Sequence, residues 1–277
     1  MNLRLQMETT GWLKQTNKPV FEDLLWSRPQ NRRRAGKLLI VGGHAHAFVA
    51  PAAASAAATK AGIGTTRVLL PNSLEKLTKP HFSYFQGGTL QVEFGVSTPN
   101  GSFGRQALDQ LLESASWADG VLLAGDLGHN SETAILLDNF IRKFTGQITC
   151  AGDALDYFLE ASSPILEREN SLIIAEFSQL QKLAKLNKPE LTLKNSMNLY
   201  ELVQALNVWT EVIKVSVITF HQDHILVSYN ARTSTTAVVD ANIGRLSAFA
   251  AVWWLQQPDK PFEALTSAIW DYTKTSR

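Results

Sequence analysis

The segment Lys37-Leu38-Leu39-Ile40-Val41-Gly42-Gly43 decides the fold of this chain. Its apolar run is typical of a strand in the middle of a parallel sheet, where both faces are buried. Residues 51–61, which follow, are rich in alanine, the best helix former, and they end at a glycine, a common helix stop. Residues 65–70 predict a second strand. This order of strand, glycine turn, helix and strand predicts a βαβ unit with a right-handed crossover.

The same alternation recurs along the rest of the chain. Further strands are predicted at residues 120–124, 148–150, 171–175, 215–219 and 224–228, and helices at 132–144, 176–186, 200–210, 246–256 and 261–272. Such alternation predicts an α/β fold with one doubly wound, mostly parallel sheet and helices on both faces. We expect residues 36–277 to form this domain and residues 1–35 to form a polar N-terminal arm, with a short helix or two and a linker. Residues 71–105 are the least readable stretch of the chain.

The composition and net charge of the chain exclude several classes of partner and site. The 277 residues carry a net charge of +1 and are 45% hydrophobic, as expected for a globular protein that does not bind nucleic acid. The basic run at residues 32–34 is interpreted as a solvated loop. The single cysteine, Cys150, indicates a buried thiol in a reducing compartment and excludes a zinc site built on several thiolates. With no long apolar stretch and no leader-like start, we expect a cytoplasmic protein without a membrane partner.

Ligands of such sheets bind at the carboxyl ends of the strands. Four glycine-containing loops follow predicted strands or precede a predicted helix, and glycines let backbone amides approach a ligand. The candidate binding residues on them are Gly42, Gly43, His44, Gly125, Asp126, Gly128, Asp153, Asn242 and Gly244. The alternative for each loop is a plain structural turn, and for Asp126 and Asp153 it is capping of a helix.

Several well-known sites are missing from the sequence. There is no P-loop lysine motif, residues 42–47 do not fit the GxGxxG pattern, and no GxSxG elbow is present. His44 and His46 have no clear third ligand, so no metal site is predicted. We expect His221 and His224 to be exposed at a turn between two strands.

The ordered segments from residue 36 to residue 272 resemble the ADP/ATP-dependent NAD(P)H-hydrate dehydratases, a branch of the ribokinase-like fold. The similar segments are residues 36–43 (opening strand and glycine turn), 56–64 (alanine-rich helix), 117–128 ("ADAVVIGPGLG"), 152–155 (end of "DADAL"), 176–177 (end of "TPHPGEF") and 261–264 (last helix). The resemblance implies a three-layer α/β/α domain that binds ATP or ADP with Mg²⁺ and an NAD(P)H-like ligand. It also implies association into a homo-oligomer.

In that family, the carboxylate of a GTGD turn acts as a base, and amides at the start of the next helix hold the phosphate that is transferred. The resemblance places this turn on residues 242–245, where only Gly244 matches and Arg245 stands at the carboxylate position. A guanidinium that is always protonated cannot act as a general base.

Other family positions that carry chemistry also differ. They fall on Phe48, Ala50, Gly125, Asp126, Ala151, Ile173 and about Phe220. The sequence therefore predicts a pseudoenzyme or repurposed member that keeps a nucleotide-type pocket but has lost or changed the lyase reaction. One alternative is an active dehydratase or small-molecule kinase that uses Asp240, or else Asp153 or Asp126, as its base. Another is a non-catalytic interaction protein with Trp253 and Trp254 facing a partner, although we expect these tryptophans in the core.

Overall fold

One mixed sheet of ten strands organises the part of the chain that the computed structural model describes, residues 11–82, 90–160 and 163–275. The strand order is β1-β10-β9-β8-β7-β6-β5-β2-β3-β4. The strands are β1 Trp12–Gln15, β2 Lys37–Gly42, β3 Thr65–Pro71, β4 Leu90–Gly95, β5 Gly120–Gly125, β6 Gln147–Ala151, β7 Ser171–Ala175, β8 Ser216–His221, β9 His224–Tyr229 and β10 Arg232–Ala237.

The pairing from β2 to β8 is parallel, whereas β9 runs antiparallel to both of its neighbours. The chain moves outward from β2 to β3 and β4, then returns to the other side of β2 as β5. This reversal is a topological switch point, where open α/β sheets form a crevice at the carboxyl ends of the strands. The fold therefore places a crevice between the ends of β2 and β5.

Helices cover both faces of the sheet. They are α1 Glu22–Trp26, α2 Val49–Lys60, α3 Glu75–Phe82, α4 Leu108–Trp117, α5 Ser131–Lys143, α6 Phe177–Asn187, α7 Leu199–Thr210, α8 Ile243–Gln256 and α9 Pro261–Thr275. Buried residues of α2, α8 and α9 pack on one face, and buried residues of α4 to α7 pack on the other. The three-layer α/β/α arrangement expected from the sequence is confirmed.

The predicted apolar strands are confirmed with small changes of boundary. Cys150 is fully buried in β6, as expected, and burial raises the pKa of its thiol well above the usual range. Trp253 and Trp254 are also buried, which places them in the core. The expectation that His221 is exposed is wrong. It is the last residue of β8, only 6% exposed, because its ring lies 5.1 Å from that of Phe177 and its Nε2 is 2.8 Å from the carbonyl oxygen of Met197.

Residues of the predicted arm take part in the sheet. β1 pairs in parallel with β10, and the Trp12 indole N–H donates to Thr235 Oγ1 at 3.0 Å. Arg32–Arg34 form an exposed 3-10 turn, which confirms that this basic run is solvated. The division into an arm and a domain stays a prediction. Among the described residues, no helix combines the length and the apolar character that a membrane crossing requires.

Candidate functional site

The loops that follow β2 and β5 meet at the carboxyl edge of the sheet. Gly43 N donates to the carbonyl oxygen of Gly125 at 3.1 Å. A Cβ on Gly42 would lie 2.4 Å from that same oxygen, so only glycine allows the two loops to approach this closely. Gly125 itself has a φ of 107°, a backbone conformation that favours glycine. The sequence prediction that these glycines lie together at one edge is therefore met by the geometry, although a ligand-binding role stays a prediction.

Asp126 joins the β5 loop to the start of α2. Its backbone adopts a left-handed φ of 56°, and its Oδ2 accepts a hydrogen bond from Ala50 N at 2.7 Å. The positive end of the helix dipole at this N-terminus favours a negative group. His44 Nδ1 lies 2.9 Å from the carbonyl oxygen of Asp126. Asp126 thus stabilises the start of α2 from a different loop, a form of the capping role that the sequence left open.

Asp153 holds the opposite side of the β5 loop. Its Oδ2 accepts from Leu127 N at 3.0 Å and from Gly128 N at 3.3 Å. Its Oδ1 is buried and has no hydrogen-bond partner in the described parts of the chain. Burial raises the pKa of the Asp153 carboxyl; the hydrogen bond from Gly128 opposes this rise, and the charge of Asp126 adds to it. Two carboxylates therefore lie close enough to interact at the switch point.

Tyr157 completes this part of the site and was missed by the sequence analysis. Its hydroxyl donates to the carbonyl oxygen of Gly128 and accepts from Asn130 N, at 3.2 Å in the second case. Burial raises the pKa of the phenol, so it stays protonated and able to donate. A single tyrosine inside a 3-10 segment gives no recognisable signal in a sequence, because only the fold brings it to the loop.

The fourth loop leads into α8, which begins three residues earlier than predicted. The structure starts this helix at Ile243 and makes Asn242 its N-cap, with Asn242 Oδ1 accepting from Arg245 N at 2.9 Å. Asn242 N donates to the Tyr272 hydroxyl at 2.8 Å. Gly244 therefore lies in the first turn of the helix instead of in a preceding turn.

The N-termini of α2 and α8 lie next to each other. A Cβ on Gly244 would be 3.6 Å from the carbonyl oxygen of Ala50, which is in the first turn of α2. Helix N-termini favour anions, and two of them converge at this edge. All four predicted loops are thus brought to the same edge of the sheet.

Arg245 and Asp240 occupy different positions relative to this pair of helices. Arg245 is the third residue of α8, and its guanidinium carbon lies 5.9 Å from the centre of the Tyr272 ring. The side chain is half-buried. Asp240 is exposed on the loop between β10 and α8, two residues before the N-cap. The position at which the sequence resemblance expects a base therefore presents a permanent cation near the helix start.

Ile173 stands where the resemblance expects a histidine. It lies in the middle of β7 and is completely buried in the core. The Ile173 side chain is apolar and therefore offers the site no proton donor or acceptor.

The charged groups of the site do not form a metal centre by themselves. Within residues 11–82, 90–160 and 163–275, no group of three or more His, Cys, Asp or Glu side chains is arranged to hold a metal ion. Mg²⁺ that accompanies a nucleotide commonly uses only one or two protein carboxylates together with phosphates and waters. Asp126 and Asp153 match this requirement for one or two protein carboxylates.

A cavity of about 560 Å³ lies at the other edge of the sheet, near the starts of β7 and β8. Lys214 lines it and is paired with Glu169 at 2.8 Å. Sheets of parallel strands bind ligands at the carboxyl ends of the strands. This cavity lies at the amino ends and is therefore a weaker candidate for the ligand site.

Comparison with known proteins supports the fold. No protein-family model and no curated protein matches the chain. Among solved structures, a ribokinase-like superfamily protein from Enterococcus faecalis is similar with a TM-score of 0.67 and 13% identity, over 95% of this chain and 87% of that one. The chain has a ribokinase-like α/β/α fold. A hypothetical protein from Streptococcus mutans gives a TM-score of 0.67 and 15% identity, over 91% and 86% of the two chains.

A structure of the ADP/ATP-dependent NAD(P)H-hydrate dehydratase from Bacillus subtilis, co-crystallised with ATP and Mg²⁺, is also similar. Its TM-score is 0.60 at 9% identity, over 94% of this chain and 89% of that one. The ribokinase-like neighbours thus include the dehydratase that the sequence resembles. At this identity the likeness shows the fold and does not assign an activity.

Proposed function

We propose that this protein binds a nucleotide-type ligand at the carboxyl edge of its sheet but does not carry out the dehydratase reaction that its fold neighbours suggest. The observation that carries the proposal is the start of α8, where Gly244 keeps a small residue and Arg245 replaces the expected carboxylate. The ligand's phosphate would lie against the first amides of α8, which carry the positive end of the helix dipole.

The charge of Arg245 supports binding at this position and opposes base catalysis. A guanidinium donates hydrogen bonds to phosphate and accepts no proton. Asn242 already caps the amide of Arg245 through its side chain. The amides of Ile243 and Gly244, which precede that capped position, are the ones we assign to the phosphate.

The remaining parts of the site suit a metal-nucleotide complex. ATP or ADP would bring Mg²⁺, with Asp126 and Asp153 as its protein carboxylates. When bound, Mg²⁺ neutralises phosphate charge. An NAD(P)H-like molecule is the second ligand class. The Bacillus subtilis neighbour co-crystallised with ATP and Mg²⁺, and an Anopheles gambiae adenosine kinase bound to a diadenosine tetraphosphate, support a nucleotide as the ligand.

The catalytic part of the proposal is tested with NADH-hydrate as substrate. Purified protein with ATP or ADP and Mg²⁺ should form NADH no faster than the uncatalysed reaction, because loss of a general base alone costs about 10²- to 10⁴-fold. A rate far above background that Asp240→Asn abolishes would contradict the proposal and establish Asp240 as a replacement base. Asp259→Asn, on an exposed residue of the α8–α9 connection, is the matched control.

We also propose that the protein acts in the cytoplasm as a homo-oligomer, without nucleic-acid or membrane partners. The buried, free thiol of Cys150 fits a reducing compartment, and the near-neutral net charge argues against a nucleic-acid partner. The burial of Trp253 and Trp254 removes the observation that motivated a separate interaction protein. Light scattering on the purified protein measures its mass, and a monomer at high concentration would contradict the oligomer.

A further inference from the structure

The cavity of about 560 Å³ at the amino edge of the sheet has features of a second ligand site. It lies between the starts of β7 and β8, the turn after β9 and the connection between α8 and α9. Its volume is within the range of about 300–1,000 Å³ that is usual for small-molecule sites. Most of the residues that line it are exposed, so a molecule from solvent can reach their side chains.

The accessible charges of this cavity are mostly negative. The carboxylates of Glu169, Glu211 and Asp259 line it together with one ammonium group, that of Lys214, and all four residues are exposed. Lys214 Nζ lies 2.8 Å from Glu169 Oε1, so these two charges offset each other. Glu211 and Asp259 form no salt bridge with any residue that the structure describes. The cavity therefore has two negative charges in excess, and both are open to solvent.

The place of Glu211 on α7 makes its charge unfavourable in the absence of a cation. Glu211 is the C-cap of this helix, whose last turn contains no basic residue. The carbonyl end of a helix carries a partial negative charge and favours cations. The nearest cation in the sequence, Lys214, is already paired with Glu169. A positive group in the cavity would offset both the carboxylate and the helix end.

The two unpaired carboxylates come from opposite sides of the sheet. The helix α7, which ends next to Glu211, packs on one face, whereas α8 and α9, whose connection carries Asp259, pack on the other. The amino edge of the sheet forms the part of the cavity between these two helical layers. A ligand with two separated cationic groups can therefore meet one carboxylate with each group, whereas a ligand with a single charge meets only one.

Accessible apolar surface favours an organic cation over a metal ion. Val212 is 58% exposed, Pro258 is exposed and Tyr229 is half-buried, and all three line the cavity. Methylene groups of an alkyl amine gain from contact with such surface, whereas a hydrated metal ion does not. Among the described residues, no three acidic, histidine or cysteine side chains are grouped to hold a metal. We propose that this cavity binds a small aliphatic diamine or polyamine, whose ammonium groups pair with Glu211 and Asp259.

Isothermal titration calorimetry in the absence of nucleotide tests this site. The probes are the diamine putrescine and the triamine spermidine, and the comparison ligands are butylamine, which has one ammonium group, and MgCl₂ at the same ionic strength. The test variant combines Glu211→Gln with Asp259→Asn, and it should fold because both residues are exposed. The matched control combines Glu190→Gln with Asp109→Asn, which removes two exposed carboxylates that do not line the cavity.

We expect both probes to bind the wild-type protein at least about threefold more tightly than butylamine, and less tightly as salt is added. Affinity should fall about tenfold in the test variant, because two ion pairs are lost, and stay unchanged in the control. The proposal is overturned if neither probe binds the wild type, if MgCl₂ binds equally well, or if the test variant keeps the wild-type affinity. Nucleotide binding at the start of α8 is independent of these outcomes, since the cavity lies at the opposite edge of the sheet.

Discussion

Asp153 shows how single residues set the electrostatics of the candidate site. Its carboxyl is largely withdrawn from water, and a second carboxylate, Asp126, lies close enough to raise its pKa further. Two backbone amides hold one of its oxygens, while the other is buried without a partner among the described residues. The arrangement stabilises the loop after β5 at an electrostatic cost when Asp153 is ionised.

This cost predicts a pH-dependent stability. Because the pKa of Asp153 is raised in the folded state, that state binds the proton more tightly than the unfolded chain. The folded protein should therefore lose stability, relative to Asp153→Asn, as pH rises from the ordinary carboxyl pKa through the raised one. Tm measured for both proteins between about pH 4 and pH 8 tests this. A difference that is constant across the series would contradict the prediction.

At the scale of elements, the site depends on how closely two loops approach. β2 and β5 end side by side, and Gly42 leaves no room for a Cβ beneath the carbonyl oxygen of Gly125. The loop after β2 leads directly into α2, and Asp126 of the loop after β5 accepts a hydrogen bond from Ala50 N in the first turn of that helix. The start of α8 lies beside this turn, with Gly244 next to the carbonyl oxygen of Ala50.

Gly42→Ala should therefore destabilise the protein. The added Cβ would lie 2.4 Å from a backbone oxygen, so the strand ends must move apart, at a cost of about 1–3 kcal/mol in unfolding free energy. Urea unfolding measures the loss. Gly244→Ala is the control, since its Cβ would meet no atom closer than 3.5 Å. Equal stabilities for the two variants would show that the ends of β2 and β5 can move apart at little cost.

The elements that could be predicted from the sequence are those in which one continuous segment carries an apolar pattern that indicates burial. β2, β5 and β7 are mainly apolar runs, and the glycines that end or follow β2 and β5 mark two loops of the candidate site. β10 was missed because its sequence is polar. Its hydroxyls are buried against partners distant in the chain, such as Thr233 Oγ1 donating to Asn207 Oδ1 at 2.7 Å.

The same limit applies to the site. The four loops were found because glycine and aspartate after a strand are local signals. Tyr157 and Tyr272 were not found, because the two tyrosine hydroxyls become part of the site only through tertiary contacts. The exposure of His221 was wrongly predicted for a related reason, since its ring is covered by a different helix.

At the scale of the whole molecule, the first part of the described chain is built into the sheet. β1 extends it beyond β10, and Leu13 is only 3% exposed on this edge strand. The indole N–H of Trp12, on the other face of the same strand, donates a hydrogen bond to Thr235 Oγ1 and anchors β1 to β10. Stability of the fold should therefore depend on residues outside the predicted domain of 36–277.

Leu13→Ala tests this dependence. Truncating a buried leucine costs about 2–5 kcal/mol when the surroundings do not collapse. Chemical denaturation should show a loss in that range, with a single transition. Lys18→Ala, at an exposed residue after the strand, should leave stability unchanged. An unaltered free energy of unfolding for Leu13→Ala would indicate that the arm is energetically separate from the domain.

The proposed ligand site at the start of α8 depends on single side chains, on neighbouring helix N-termini and on the order of the strands. A thermal-shift series with ATP, ADP, AMP, NADH and NADPH, each with Mg²⁺, tests it most directly. Native-state binding at about 100 times Kd adds roughly 2.7 kcal/mol of stability, a readily measured rise in Tm. We predict a rise with at least one nucleotide that Arg245→Ala diminishes and Arg142→Ala, at an exposed position of α5, does not. No rise with any of the five ligands would contradict nucleotide binding at the start of α8.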